Sequence, residues 1–224
     1  MESTFLIGIV NNITLLLVLG FLYSVSIRRW DIRTLKGQCI AGLLFGLVAV
    51  IGMVVPVQYS PGLIFDGRTI LLGTVGLFGG GLAAAVAVVM TGLLRLWQRG
   101  VGQWAGVATI LSSALFGLLF RRMQIQFGWN RNNLFLYASG LVIHLSMLAC
   151  MLLLPESIRW KVLSDISLPV LLVYPFATML YGRLIVELEA RNEAADELKE
   201  SQQLYEALAE SSTAGIGLRD EAGG

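Results

Sequence analysis

Four ionisable side chains sit in or beside long apolar stretches of this 224-residue chain: Asp66, Arg68, Arg95 and His144. Charge among apolar groups is costly, so each is a candidate site residue. Asp66-Gly67-Arg68 follows Pro61-Gly62 at the mouth of an apolar run. The glycine permits a tight turn, and the flanking charges can pair or hold a ligand. Arg68 heads a helix, where its charge opposes the helix dipole, a conflict that a bound anion relieves. Arg95 closes the same run, in Leu93-Leu94-Arg95-Leu96-Trp97. If the run folds back on itself, both arginines come near one surface and form a basic pocket for an anionic small-molecule ligand. The competing assignment for each arginine is a side chain that snorkels to the interface. His144, the one histidine, stands mid-run between Ile143 and Leu145. It either titrates with outside pH or hydrogen-bonds between helices.

Gly79-Gly80-Gly81 interrupts the run that Arg68 opens. Where a membrane helix breaks, freed backbone groups can hold a polar ligand, which makes Gly79 and Gly80 candidates as well. Close helix packing is the competing explanation, since Gly73, Gly76, Ala83, Ala84, Ala85 and Ala87 continue the small-residue pattern. The glycines are not a phosphate loop, because no lysine followed by serine or threonine closes them. Thr109, Ser112 and Ser113 can line a cavity or bond across helices. No paired acids, nucleophile and base, or metal-ligand cluster is present, so no catalytic residue, metal or cofactor is assigned.

The elements that position these residues are membrane helices. The chain is 56% hydrophobic and 14% charged, with a mean hydropathy of +0.74, against about 25% charged residues in a soluble domain. Its net charge of +1 provides no field for nucleic acid. The first apolar run is too long for a signal peptide and lacks a cleavage site. Cys39 and Cys150 read as packing or lipid-facing thiols. Six apolar runs cover residues 5–27, 39–57, 69–97, 104–120, 134–154 and 166–181. A spanning helix needs about 17–25 residues. Five runs fit to within a residue or so, whereas the third, 29 residues long and glycine-broken, divides into halves too short to span easily.

Charge placement sets the topology. Loop 28–36 holds Arg28, Arg29, Arg33 and Lys36 against Asp31, and loop 121–131 holds Arg121, Arg122 and Arg131 with no acid. Both belong in the cytoplasm by the positive-inside rule. Loops 58–67 and 155–165 are poorer in basic residues and belong outside. Run three then starts and ends outside, as a re-entrant hairpin or as two half-helices meeting at the glycines. The expected fold is an all-α polytopic membrane protein with five full spans, N-terminus out and C-terminus in. The alternative is six ordinary spans with the N-terminus inside.

Residues 183–208 read as a polar helix with no loop after the last span. Leu188, Ala195, Gln202 and Ala209 share one heptad position, and Arg191, Leu198 and Tyr205 another. This weak seam suits a parallel homodimer that can switch register. A solvated single helix is the alternative. A helix that leaves the bilayer and continues into water can carry a mechanical signal.

The stretch DGRTILLGTVGLFGGGLAAAVAVVMTGLLRLWQRG resembles the core of LytS/YehU-type five-transmembrane sensor domains. The family pattern is Asn-x-Arg, an apolar helix, a glycine pair, a small-residue helix, an arginine and a glycine. Arg68, the pair Gly79 and Gly80, Arg95, and Gly100 or Gly102 match it. Asp66 departs, standing where asparagine is expected, which adds a negative charge. The last span, with Leu168-Pro169 at its start, also resembles the family's final helix, so the likeness covers about residues 5–190. The residues SQQLYEALAESSTAGIGLRDEAGG resemble the opening of a PAS domain: a cap helix, Glu210-Ser211-Ser212, Gly215-Ile216 and an Asp220-Glu221-Ala222-Gly223 turn. About 24 residues cannot close a core of roughly 100, so the chain reads as a piece of a longer protein. The resemblances imply a bacterial inner-membrane sensor domain (1–185), a signalling helix (186–203) and a PAS start (204–224). A histidine kinase or cyclic-di-GMP output would follow. The domain would sense a small polar or anionic solute or the state of the membrane; a transporter-like or channel-like module and a passive dimerising anchor are the alternatives.

Overall fold

The computed structural model describes residues 2–54, 57–60, 63–65 and 67–221; of these, 2–13, 15–16, 57–60, 63–65 and 206–221 are described by backbone alone. Asp66 lies outside the described residues. The chain is all-α apart from one short ribbon. Helix α1 covers Glu2–Arg29 and α2 Leu35–Val54. Strands β1, Val57–Ser60, and β2, Leu63–Phe65, pair antiparallel. Then follow α3, Arg68–Thr74, a π-helical segment, Val75–Gly79, and α4, Gly81–Gln98. Helices α5, Gln103–Phe127, α6, Asn133–Cys150, and α7, Glu156–Glu221, complete the chain. Among the described residues five helical stretches are long and apolar enough to cross a membrane, namely α2, α4, α5, α6 with its short 3-10 extension, and part of α7.

Two compact units result, residues 1–186 and 187–224. In the first, small residues set the helix directions. Gly42 of α2 lies against Ala83 and Val86, and Gly46 against Ala87 and Met90. Gln98 at the end of α4 donates to the Met53 carbonyl at the end of α2, 3.0 Å away. Helices α2 and α4 are therefore parallel. Gly73 meets Gly117, and the Leu77 and Phe78 carbonyls four to five residues on meet Arg121, so α3 runs parallel to α5. Gly140 of α6 packs on Pro175 and Thr178 of α7, and Gly182 packs on Leu136, which makes that pair antiparallel. Tyr23 of α1 meets Phe45 of α2 edge-on, with ring centroids 5.8 Å apart.

The third apolar run is a hairpin, but an asymmetric one. Its descending arm, Arg68–Gly79, is short, whereas the returning arm α4 has 18 residues and is long enough to span. The expectation of two short halves fails because the hinge at Gly80, the middle glycine of the triplet, lies nearer the start of the run than its end. Gly80 has φ 87° and ψ −178°, a conformation that only glycine adopts without strain. The hinge lies beside Gln38, at the start of α2. Arg121 reaches the same place from α5. Both basic loops thus flank one end of the bundle, here the basic end. Six ordinary spans would put them at opposite ends.

Helix α7 contains Pro169 and Pro175, tolerated where neighbouring groups satisfy the backbone. Residues 187–221 are helical, with an exposed Arg191–Glu187 ion pair at 3.0 Å. Helix continues through Gly215 and Ile216, where the PAS resemblance implies a loop and strand. An isolated strand is unstable without partners, and none is described nearby.

Candidate functional site

Every residue of α3 is buried, because the helix is wedged against α5 and α6. Arg68, its first residue, is 8% exposed. At a rise of about 1.5 Å per residue, it sits roughly 18 Å from the Gly80 hinge. The same arithmetic puts Arg95 about 22 Å from the hinge along α4, and His144 about 17 Å from the start of α6. Both arginines are buried by protein, Arg68 at the start of α3 and Arg95 in the last turn of α4.

Thr69 and His144 extend this layer. Thr69 Oγ1 and His144 Nε2 are 3.0 Å apart, and His144 Nδ1 is 2.7 Å from the Gly140 carbonyl oxygen. A carbonyl can only accept, so Nδ1 carries the proton and the Thr69 hydroxyl donates to Nε2 in the neutral ring. His144 is fully buried and meets the Tyr174 ring edge-on at 5.1 Å. One side chain thus joins α3, α6 and α7. Ser113 of α5 lies one turn from Gly117, as Thr69 lies one turn from Gly73, so the two hydroxyls share a level. Ser113 Oγ is buried and makes no hydrogen bond among the described residues.

Arg95 is 3% exposed and lies on Gly106 of α5. A Cβ there would run into the guanidinium Nε and come within 3.0 Å of Cδ. Gly106 is therefore a positioning residue that sequence reading missed; the glycines singled out nearby were Gly100 and Gly102. Thr91, one turn before Arg95, is buried and donates to the Ala87 carbonyl at 2.7 Å.

Gly79 and Gly80 are not brought to this layer; they lie at the basic end. There the freed backbone groups already have partners. Gln38 Oε1 accepts from the Leu82 amide at 3.3 Å. Arg121 donates through one terminal nitrogen to the Leu77 and Phe78 carbonyls, at 3.1 and 2.8 Å. Arg131 lies over the Phe78 ring, 5.2 Å from its centroid. Among the described residues no three His, Cys, Asp or Glu side chains gather as metal ligands.

The arrangement places two buried guanidinium groups, hydroxyls and an imidazole inside a membrane bundle. The family described as 5TMR of 5TMR-LYT matches residues 20–187. The chain belongs to that family. It carries a LytS/YehU-type five-transmembrane sensor domain, built as a membrane-embedded helix bundle around the broken hairpin. No curated protein and no solved structure matches the chain.

Proposed function

We propose that this 5TMR-LYT domain is the input module of a bacterial inner-membrane receptor, acting as a homodimer. An anionic solute reaches Arg68 and Arg95 from the end opposite the basic loops. The reading rests on one observation: two buried guanidinium groups at similar depth, with Arg68 adjacent to the Thr69–His144 pair that touches α7 through Tyr174. Movement of Arg68 on binding shifts Thr69 and, through His144, the last membrane helix. That helix hands the shift to the PAS residues and then to a kinase or cyclic-di-GMP output. A ligand acts as a switch only through its different affinities for two states, and a tenfold population change needs about 1.4 kcal/mol. One charge-assisted hydrogen bond provides as much.

The test is a thermal-shift screen of small anionic metabolites on the detergent-purified chain. A true ligand at a hundredfold excess over its Kd stabilises by about 2.7 kcal/mol. The expected result is a stabilising anion whose effect disappears in Arg68→Gln and Arg95→Gln. No stabilisation by any anion, with all proteins folded, would reject the solute site. Orientation is tested separately by thiol labelling. Thr34→Cys should react only from the cytoplasmic side and Ser60→Cys only from outside; labelling of Ser60→Cys only from the cytoplasm would reject the hairpin topology.

A further inference from the structure

The geometry points to a binding site for the headgroup of an anionic phospholipid on α5 at the basic end, centred on Arg121 and Arg122. An open groove there is lined by Leu118, Arg121, Arg122, Ile125 and Gln126. Their spacing, i, i+3, i+4, i+7 and i+8, puts all five on one helix face. The face combines two apolar side chains with two guanidinium groups and an amide.

Depth identifies the ligand class. Arg121 reaches carbonyls within a turn of the Gly80 hinge, and α5 ends at Phe127, roughly 9 Å further along. The exposed indoles of Trp30 and Trp129 lie at the same end, as interfacial anchors do. The arginine pair is therefore at headgroup level, with Leu118 toward the acyl region. Charge supports a phosphate. Residues 121–131 contain three arginines and no acid. Arg122 is exposed and has no hydrogen-bond or ion-pair partner among the described residues. Arg121 spends one terminal nitrogen on the hinge carbonyls, which leaves three of its five N–H donors for the groove. A phosphodiester between two guanidinium groups, its acyl chains along Leu118, satisfies both walls. Because Arg121 also holds the hinge, the headgroup touches the residue that secures the hairpin tip. The site is at a different level from the Arg68–Arg95 layer, so it stands or falls independently of the solute reading.

Native mass spectrometry tests it, on the full chain in micelles doped equally with phosphatidylglycerol and phosphatidylcholine. The wild type should retain phosphatidylglycerol preferentially. Loss of one interfacial arginine should cut that retention about fivefold in Arg122→Gln, with recovery in Arg122→Lys. Arg159→Gln, at the opposite end, should leave it unchanged. Equal retention of both lipids, or adducts that survive Arg122→Gln, overturns the site. So does displacement by millimolar inorganic phosphate, which would mark a soluble-anion site instead. If Arg122→Gln does not fold, Gln126→Glu reads the same groove by setting a carboxylate against the headgroup. Unchanged adducts in that variant overturn the proposal equally.

Discussion

Gly117→Ala is expected to destabilise the bundle strongly, while Gly46→Ala should cost far less. Both glycines are buried in helices and both face another helix. Outside a packed interface, alanine favours a helix over glycine by about 1 kcal/mol. At Gly46 the added Cβ meets the Met90 sulfur at 2.6 Å, the flexible end of a side chain that can rotate away, and the Ala87 Cα only at 3.2 Å, a contact that a shift of a few tenths of an ångström relieves. Propensity and displacement then roughly cancel. At Gly117 the added Cβ falls on the Gly73 carbonyl oxygen, with the Gly73 carbonyl carbon at 3.0 Å and its Cα at 3.2 Å. Backbone cannot rotate away. Helices α3 and α5 must separate, which breaks the Gly76–Ala114 approach one turn on and loosens the layer holding Arg68 and Thr69. Ordinary overpacking costs about 1–3 kcal/mol, and a backbone collision that cannot relax belongs at or above the upper end. Unfolding in mixed micelles by SDS titration measures both variants. Equal stabilities for Gly117→Ala and Gly46→Ala would show that α3 and α5 are not packed this closely.

That contact illustrates what sequence could and could not supply. The glycine break, the six apolar runs and the pairing of the two basic loops at one end follow from composition and charge count, because spanning length and lysine or arginine bias are local quantities. Depth is not local. Arg68 precedes an apolar run and so reads as a residue at the run's mouth, yet α3 is buried by protein from its first residue. Side chains facing lipid and side chains facing another helix are equally apolar, so the pattern cannot separate them. The same limit hid the length of α4, since a run of glycines does not say which one bends. Gln38 and Arg121 left no signal either. Each serves backbone groups 43 or 44 residues away, and a side chain that bonds to backbone needs no complementary side chain elsewhere. Arg121 looked like one more positive charge in a cytoplasmic loop. Thr69, beside a residue already singled out, was passed over because its partner His144 is 75 positions distant.

Arg121→Met should destabilise the hairpin by about 3 kcal/mol, the cost of leaving two part-buried carbonyls without a donor. The reason lies in how a helix ends. The last carbonyls of any helix have no intrahelical donor. In water solvent takes their place; inside a membrane bundle another group must. The π-helical segment ends at Gly79, the chain reverses at Gly80, and Arg121 provides both bonds from one nitrogen. Methionine keeps the length and apolar packing of the stem, so the change isolates the charge and its donors. Arg122→Met is the matched control, the same substitution one residue on, where the described structure gives the side chain no hydrogen bond or ion pair. Its stability in detergent should equal that of the wild type. Gln38→Leu, which removes the acceptor for the Leu82 amide, should cost about 1 kcal/mol as a single lost hydrogen bond. Hydrogen exchange locates the effect: amides at residues 77–84 should exchange faster in Arg121→Met while those of α6 stay protected. If exchange quickens throughout the bundle, the hinge is part of the global core rather than a separately held tip. If nothing changes, other groups hold the tip. Local loosening alone would make the hairpin an element with its own opening equilibrium, the two-state property that a sensor needs if binding at Arg68 is to be felt at the far end of α3.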